Sequence, residues 1–114
     1  MESLRVFHNL ELMAKEISFE LKVYADQAEK DGNVFSIVLS GGSSGTRLYG
    51  EFAKRSFVDK IPWHIVHLFW ADERCVSPES EESNYGTCRS ILLDHISIPK
   101  ENIHRIRGEG DPLK

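Results

Sequence analysis

A chain of 114 residues, 40% of them hydrophobic and 28% charged, has room for one domain and the composition of a folded one, which excludes a two-domain arrangement and long disorder. Fourteen Lys plus Arg against 18 Asp plus Glu leave a net charge of −4, so there is no electrostatic footprint for nucleic acid or an anionic membrane, and an anionic ligand has to be held by local geometry. Charges at Glu2, Arg5, Glu11, Lys15, Glu16 and Glu20, and a longest apolar stretch (Ile65 to Ala71) broken by His67, predict neither a signal peptide nor a membrane span.

Leu10, Met13, Ile17, Leu21, Tyr24 and Ala28 recur at spacings of 3 and 4, with Asn9 placed to cap the run and Gly32 to end it, which predicts an amphipathic helix. Val34 to Leu39 is short, β-branched and almost wholly apolar, the pattern of a parallel strand covered on both faces. A second helix is expected from Leu48, Tyr49, Phe52 and Ala53, with Arg47, Lys54 and Arg55 on its other positions and an end near Ser56. Beyond Pro62, Ile65 to Trp70 gives a second apolar strand, and a β-α-β unit of this kind is expected to be parallel and right-handed. Trp63 and Trp70 flank that strand and belong to its packing.

The polar run Asp72 to Ser83 reads as a loop, with Ser83 capping a third helix whose apolar positions are Tyr85, Cys88, Ile91, Leu92 and His95. Asn102 to Arg107 predicts a short strand, and Asp111-Pro112 pairs an N-cap with an N1 proline for a further helix. An open sheet of about three strands leaves bare edges and uncovered faces, so the chain is expected to be part of something longer and to associate through an uncovered sheet edge.

Two segments carry candidate chemistry. Ser40-Gly41-Gly42-Ser43-Ser44-Gly45 lies between a predicted strand and a predicted helix, where backbone N–H groups have no intrahelical partner and can cradle a phosphate, with Ser43 and Ser44 adding hydroxyls. The same residues also suit a β-α turn with no ligand; the loop lacks the Gly-Lys-Ser/Thr ending of a P-loop, and Ser40 stands at the first glycine position of a dinucleotide fingerprint. Ala71-Asp72-Glu73-Arg74 follows the second strand, so parallel strands would bring both loops to one carboxyl edge of the sheet. Arg74 offers a planar fork for phosphate oxygens and Asp72 an acceptor for sugar hydroxyls, although a solvated loop with an internal ion pair fits the tetrad too. His8, His64, His67, His95 and His104 are scattered and read as structural or surface residues, and Cys75 and Cys88 form no zinc motif, which predicts reduced thiols in a cytosol and no metal site.

Ser40-Gly41-Gly42-Ser43, Leu48-Tyr49, Trp63, Phe69-Trp70-Ala71-Asp72-Glu73-Arg74-Cys75-Val76, Ser83-Asn84 and Ile103-His104-Arg105-Ile106, in this order and across almost the entire chain, resemble the 6-phosphogluconolactonases. The resemblance implies a three-layer α/β sandwich with a parallel sheet, of the type shared with sugar-phosphate isomerases. It further implies hydrolysis of 6-phosphoglucono-1,5-lactone to 6-phosphogluconate in the oxidative pentose phosphate pathway, in the cytoplasm, without a metal or organic cofactor. Gly41, Gly42, Ser43, Ser44 and Arg74 would hold the substrate phosphate of a small sugar phosphate, and Asp72 would stand near the sugar ring in a supporting role.

Two features depart from the family. Ser44-Gly45 replaces Thr-Pro, and the Gly-x-Asp-Gly-His motif that carries the catalytic histidine in the second half of family members is absent from this sequence. Residues 1–114 are therefore expected to be the N-terminal part of a single lactonase domain, inactive alone. The alternatives are a glucosamine-6-phosphate deaminase or isomerase, against which the combination of Arg74 and Asn84 speaks, and a non-catalytic sugar-phosphate-binding module.

Overall fold

The computed structural model describes residues 10–54 and 59–109. Helix α1 (Leu10–Lys30) leads into strand β1 (Phe35–Leu39), helix α2 (Gly42–Phe52), strand β2 (Val66–Trp70), helix α3 (Asn84–Ile91) and the two-residue strand β3 (Ile103–His104). Short 3-10 turns at Trp63–Ile65, Leu93–His95 and Lys100–Asn102 fill the connections. The expected cap at Asn9 and the start signal at Asp111-Pro112 lie outside the described residues, and α2 ends at Phe52 with Ala53 as its C-cap, ahead of the expected end near Ser56.

α1 ends as Gly32 predicts. The glycine takes a positive φ of 72°, its N–H bonds to the Glu29 carbonyl at 3.1 Å, and the Asn33 N–H reaches the Ala28 carbonyl at 2.9 Å, the paired closure of a Schellman motif. The buried stripe of α1 differs from expectation: Ala14, Ser18, Leu21 and Ala25 are inside, while Ile17 is 37% and Tyr24 59% exposed. The true stripe is turned by about one residue because small side chains let α1 lie close to its neighbours, and Ser18 spends its hydroxyl on the Ala14 carbonyl at 2.8 Å.

The three strands form one parallel sheet in the order β1-β2-β3, with Phe35 opposite Val66, Leu39 opposite Trp70 and Leu68 opposite Ile103. The α/β class and the parallel pairing are as expected. Leu39, Val66, Leu68 and Trp70 pack into a core with Tyr49 and Phe52 of α2 and with Cys88 and Leu92 of α3 and its exit. Each such large side chain, fully removed from water, contributes roughly 1.5–3 kcal/mol. The other sheet face is open among the described residues: Val38 is 67% exposed and Phe69 37%. The expectation that the first strand is covered on both faces is thus corrected. Its sequence is apolar on both sides, but the helices described lie against one side.

β3 is shorter than the expected Asn102 to Arg107. Asn102 is buried in a 3-10 turn with its side-chain amide on the His64 carbonyl at 3.1 Å, and Arg105 turns out of the sheet into a two-pronged pair with Glu109. Both tryptophans are buried, as their packing role required. Among the described residues no helix is long and apolar enough to cross a membrane.

Candidate functional site

The register of the two longer strands positions the site. Leu39 and Trp70 are direct partners, and the Ala71 N–H continues the ladder onto the Leu39 carbonyl at 2.8 Å. The segments leaving β1 and β2 therefore start side by side at one sheet edge, as the sequence predicted from topology. The contact that joins them is between Gly41 and Asn84, where a Cβ on Gly41 would come within 2.2 Å of the Asn84 Oδ1. Only glycine permits that approach.

Asn84, at the first position of α3 and 6% exposed, is the centre of the arrangement. Its Oδ1 accepts from the Arg74 Nη1 at 3.1 Å, and its Nδ2 donates to the Asp72 carbonyl at 3.2 Å and to the Asp72 Oδ1 at 3.3 Å. Arg74 Nη1 also donates to the Glu82 carbonyl at 2.8 Å. Both N–H bonds of one guanidinium nitrogen are thus spent on fixing the side chain, and among the described residues nothing accepts from Nη2 or Nε. A pocket of about 200 Å³ lies between these groups, lined by Gly41, Gly42, Thr46, Tyr49, Arg74, Asn84 and Thr87.

Two helices begin at this edge, and their first turns differ. α3 is closed: Ser83 accepts from the Gly86 N–H at 2.9 Å, as its predicted capping role required, and Glu73 takes the Asn84 and Tyr85 N–H groups at 2.7 and 3.1 Å. α2 starts at Gly42 with Gly41 at its N-cap, a residue with no side chain to cap with, so its first turn has no acceptor from the cap, and Gly41 and Gly42 line the pocket. Thr46 and Thr87 donate their hydroxyls to the Gly42 and Ser83 carbonyls, at 3.0 and 3.1 Å, and so offer the pocket lone pairs rather than hydrogens. Tyr49, buried, donates its hydroxyl to the Ser40 carbonyl at 2.8 Å, which ties the start of the loop to α2, and burial first, then proximity to Cys88, pushes its ionisation far above the usual tyrosine range.

Of the residues expected to carry function, Gly41, Gly42 and Arg74 are brought together around this pocket. Ser43 and Ser44 occupy the first turn of α2 by their backbone. Asp72 is exposed beside Asn84 and is not part of the pocket wall. Gly45, where the family pattern has proline, lies so near the preceding loop that a Cβ there would be 2.4 Å from the Ser40 carbonyl oxygen, and α2 begins three residues ahead of it, at Gly42.

The role of Glu73 was not legible in sequence, where the tetrad also fits a solvated loop with an internal ion pair. Burial alone raises its pKa, but hydrogen bonds from the Asn84 N–H, the Ser83 hydroxyl, and the Tyr85 and Arg74 N–H groups outweigh it and hold the carboxyl below its ordinary value. Among the described residues the histidines lie elsewhere: His64 pairs with Glu29 at 2.8 Å, and His67 and His104 meet across β2 and β3 with ring nitrogens 3.0 Å apart. That cross-strand pair was missed because strand register is invisible in a single sequence. Among the described residues no cluster of His, Cys, Asp or Glu is built to hold a metal ion. Tyr85 accepts a cationic neighbour, Arg105, 5.4 Å from its ring centre, and meets Trp70 edge-on at 5.4 Å, which anchors the start of α3 to the end of β2.

A family model described as glucosamine-6-phosphate isomerases/6-phosphogluconolactonase matches residues 8–114. The chain belongs to this family. A relative named 6-phosphogluconolactonase, from Aggregatibacter actinomycetemcomitans, is 50% identical over 76 residues, which are 67% of this chain and 33% of the relative. The crystal structure of a devB protein superposes with a TM-score of 0.89 at 36% identity, over 96% of this chain and 44% of that one. A monomeric glucosamine-6-phosphate deaminase superposes with a TM-score of 0.73 at 14% identity, which shows a shared fold. The chain spans about a third of the length of the first curated relatives it matches.

Proposed function

We propose that this chain supplies the phosphate-binding part of a cytoplasmic 6-phosphogluconolactonase, as the N-terminal part of a single α/β domain. The observation that carries the reading is the junction of Gly41, Asn84 and Arg74, which sets a guanidinium across a pocket from an uncapped helix start. A phosphate dianion suits that arrangement: first-turn amides of α2 meet it on one side and the Nη2 and Nε donors of Arg74 on the other. Asp72 at the rim accepts from sugar hydroxyls. Phosphate anchoring of this kind holds the lactone carbonyl in a fixed place, so that attack by water becomes an intramolecular event in all but name.

Lactone opening needs a base that takes a proton from water as its oxygen bonds to the ring carbonyl, and donors for the oxyanion formed before the ring C–O bond breaks. Among the described residues no histidine lines the pocket, so the base enters from outside them. No metal or organic cofactor has a part in this reading. Calorimetric titration with 6-phosphogluconate, gluconate and glucosamine 6-phosphate tests it. The expected result is binding of the phosphorylated acid and none of gluconate; preference for glucosamine 6-phosphate would favour a deaminase. In an assay coupled to 6-phosphogluconate dehydrogenase the 114-residue chain is expected to leave lactone opening at its spontaneous rate.

A further inference from the structure

We infer that Glu73 is a positioning residue, whose carboxylate sets the place of the Arg74 guanidinium by locking the loop after β2 to the first turn of α3. This rests on the reading above that the pocket takes a phosphorylated sugar acid. The Glu73 Oε1 accepts from the Arg74 N–H at 2.9 Å and the Asn84 N–H at 2.7 Å, and the Oε2 accepts from the Ser83 hydroxyl at 2.8 Å and the Tyr85 N–H at 3.1 Å. Four donors on two oxygens leave no room for an amide in its place, because a glutamine would turn an NH2 group toward two of them. The consequences pass along the chain. Fixing the Asn84 and Tyr85 amides fixes the start of α3, and with it the Asn84 side chain that both abuts Gly41 and accepts from Arg74. Folding the Arg74 amide back onto Glu73 lets the Arg74 side chain reach the Glu82 carbonyl as well. A carboxylate that touches no ligand thus sets the span between the guanidinium and the Gly41-Gly42 loop. The loop after β2 that carries Arg74 lies against Gly108, where a Cβ would come within 2.1 Å of the Arg74 carbonyl oxygen.

The test compares Glu73→Gln and Glu73→Asp with the unaltered chain by titration with 6-phosphogluconate, at a temperature where circular dichroism shows each protein folded. Glu73→Gln is expected to bind about tenfold more weakly, the equivalent of losing one charge-assisted hydrogen bond. Glu73→Asp keeps the charge with a shorter reach and is expected to recover part of the affinity. Equal affinity in folded Glu73→Gln and the unaltered chain would overturn the inference. A second measurement needs neither ligand nor variant: an acid titration of the unaltered chain by 15N–1H NMR. The backbone signals of Arg74, Asn84 and Tyr85 and the Arg74 Nε–H are expected to move in one shared transition, below the ordinary carboxylate range. Among the described residues the charged groups near Glu73 include Asp72 and Arg74 on its own loop and Arg105 after β3, and a transition reporting Asp72 alone would leave the Tyr85 amide still. If the unaltered chain binds no 6-phosphogluconate, the reading of the ligand fails, and the shared transition by itself decides for or against the positioning role.

Discussion

Replacing Gly41 by alanine separates the two loops of the site without touching a charged residue. The added Cβ would lie 2.2 Å from the Asn84 Oδ1 and 2.6 Å from its Cγ, distances no side chain tolerates, so Asn84 has to leave its place. Leaving costs the hydrogen bond from Arg74, worth about 1.5–3 kcal/mol when one partner is charged and nearer the low end for an exposed arginine, and the bond to the Asp72 carbonyl, worth about 1 kcal/mol. Gly41→Ala is therefore expected to lower stability by about 2.5–4 kcal/mol, read as a shift of the urea midpoint at unchanged slope. In parallel the Arg74 and Asn84 amide signals should move while those of α1 stay. An unchanged midpoint together with unmoved Asn84 and Arg74 signals would refute the claim that the loops meet through this contact.

Arg74→Ala is expected to weaken 6-phosphogluconate binding by about 1.5–3 kcal/mol, and Arg74→Lys to recover part of that because the charge remains but the fork is lost; calorimetry checks both. The stabilising contribution of Glu73 follows from a folded pKa lower than the unfolded one: it is fully present above the ordinary glutamate value and is lost as pH falls through the folded value. Melting temperatures measured from neutral pH down to about pH 3 should decline less in Glu73→Gln than in the unaltered chain, since the glutamine has no such contribution to lose. Cys75 is exposed, whereas burial raises the Cys88 thiol to about 12. A thiol reagent at neutral pH should accordingly modify one cysteine rapidly and the second on unfolding.

Much of this site could be read in the sequence because it depends on local rules. A glycine-rich turn between a strand and a helix, an Asp-Glu-Arg run after the next strand and a serine at a helix start each have a physical meaning at short range, and Gly41, Gly42, Arg74 and Ser83 stand where those rules put them. What stayed hidden depends on distance across the chain. Glu73 and Asn84 owe their roles to partners about ten residues away and on other elements, and the His67 and His104 pair exists only once β2 and β3 are in register. The α1 face was misread for a related reason. Periodicity ranks residues by hydrophobicity, so it selected Ile17 and Tyr24, whereas close helix packing selected Ala14, Ser18 and Ala25. Val38 illustrates the limit from the other side: its apolar character suggested a covered face, and it is 67% exposed among the described residues.

Whether the Gly41 to Ser44 loop and Arg74 form one phosphate site is decided by a 15N–1H NMR titration of the 114-residue chain with 6-phosphogluconate, beside gluconate at the same concentrations. The backbone amides at residues 41 to 44 and the Arg74 Nε–H are expected to shift together along one binding curve with 6-phosphogluconate and to stay in place with gluconate. Shifts of equal size with both compounds, or shifts with 6-phosphogluconate that leave Arg74 unmoved, would contradict a single phosphate site.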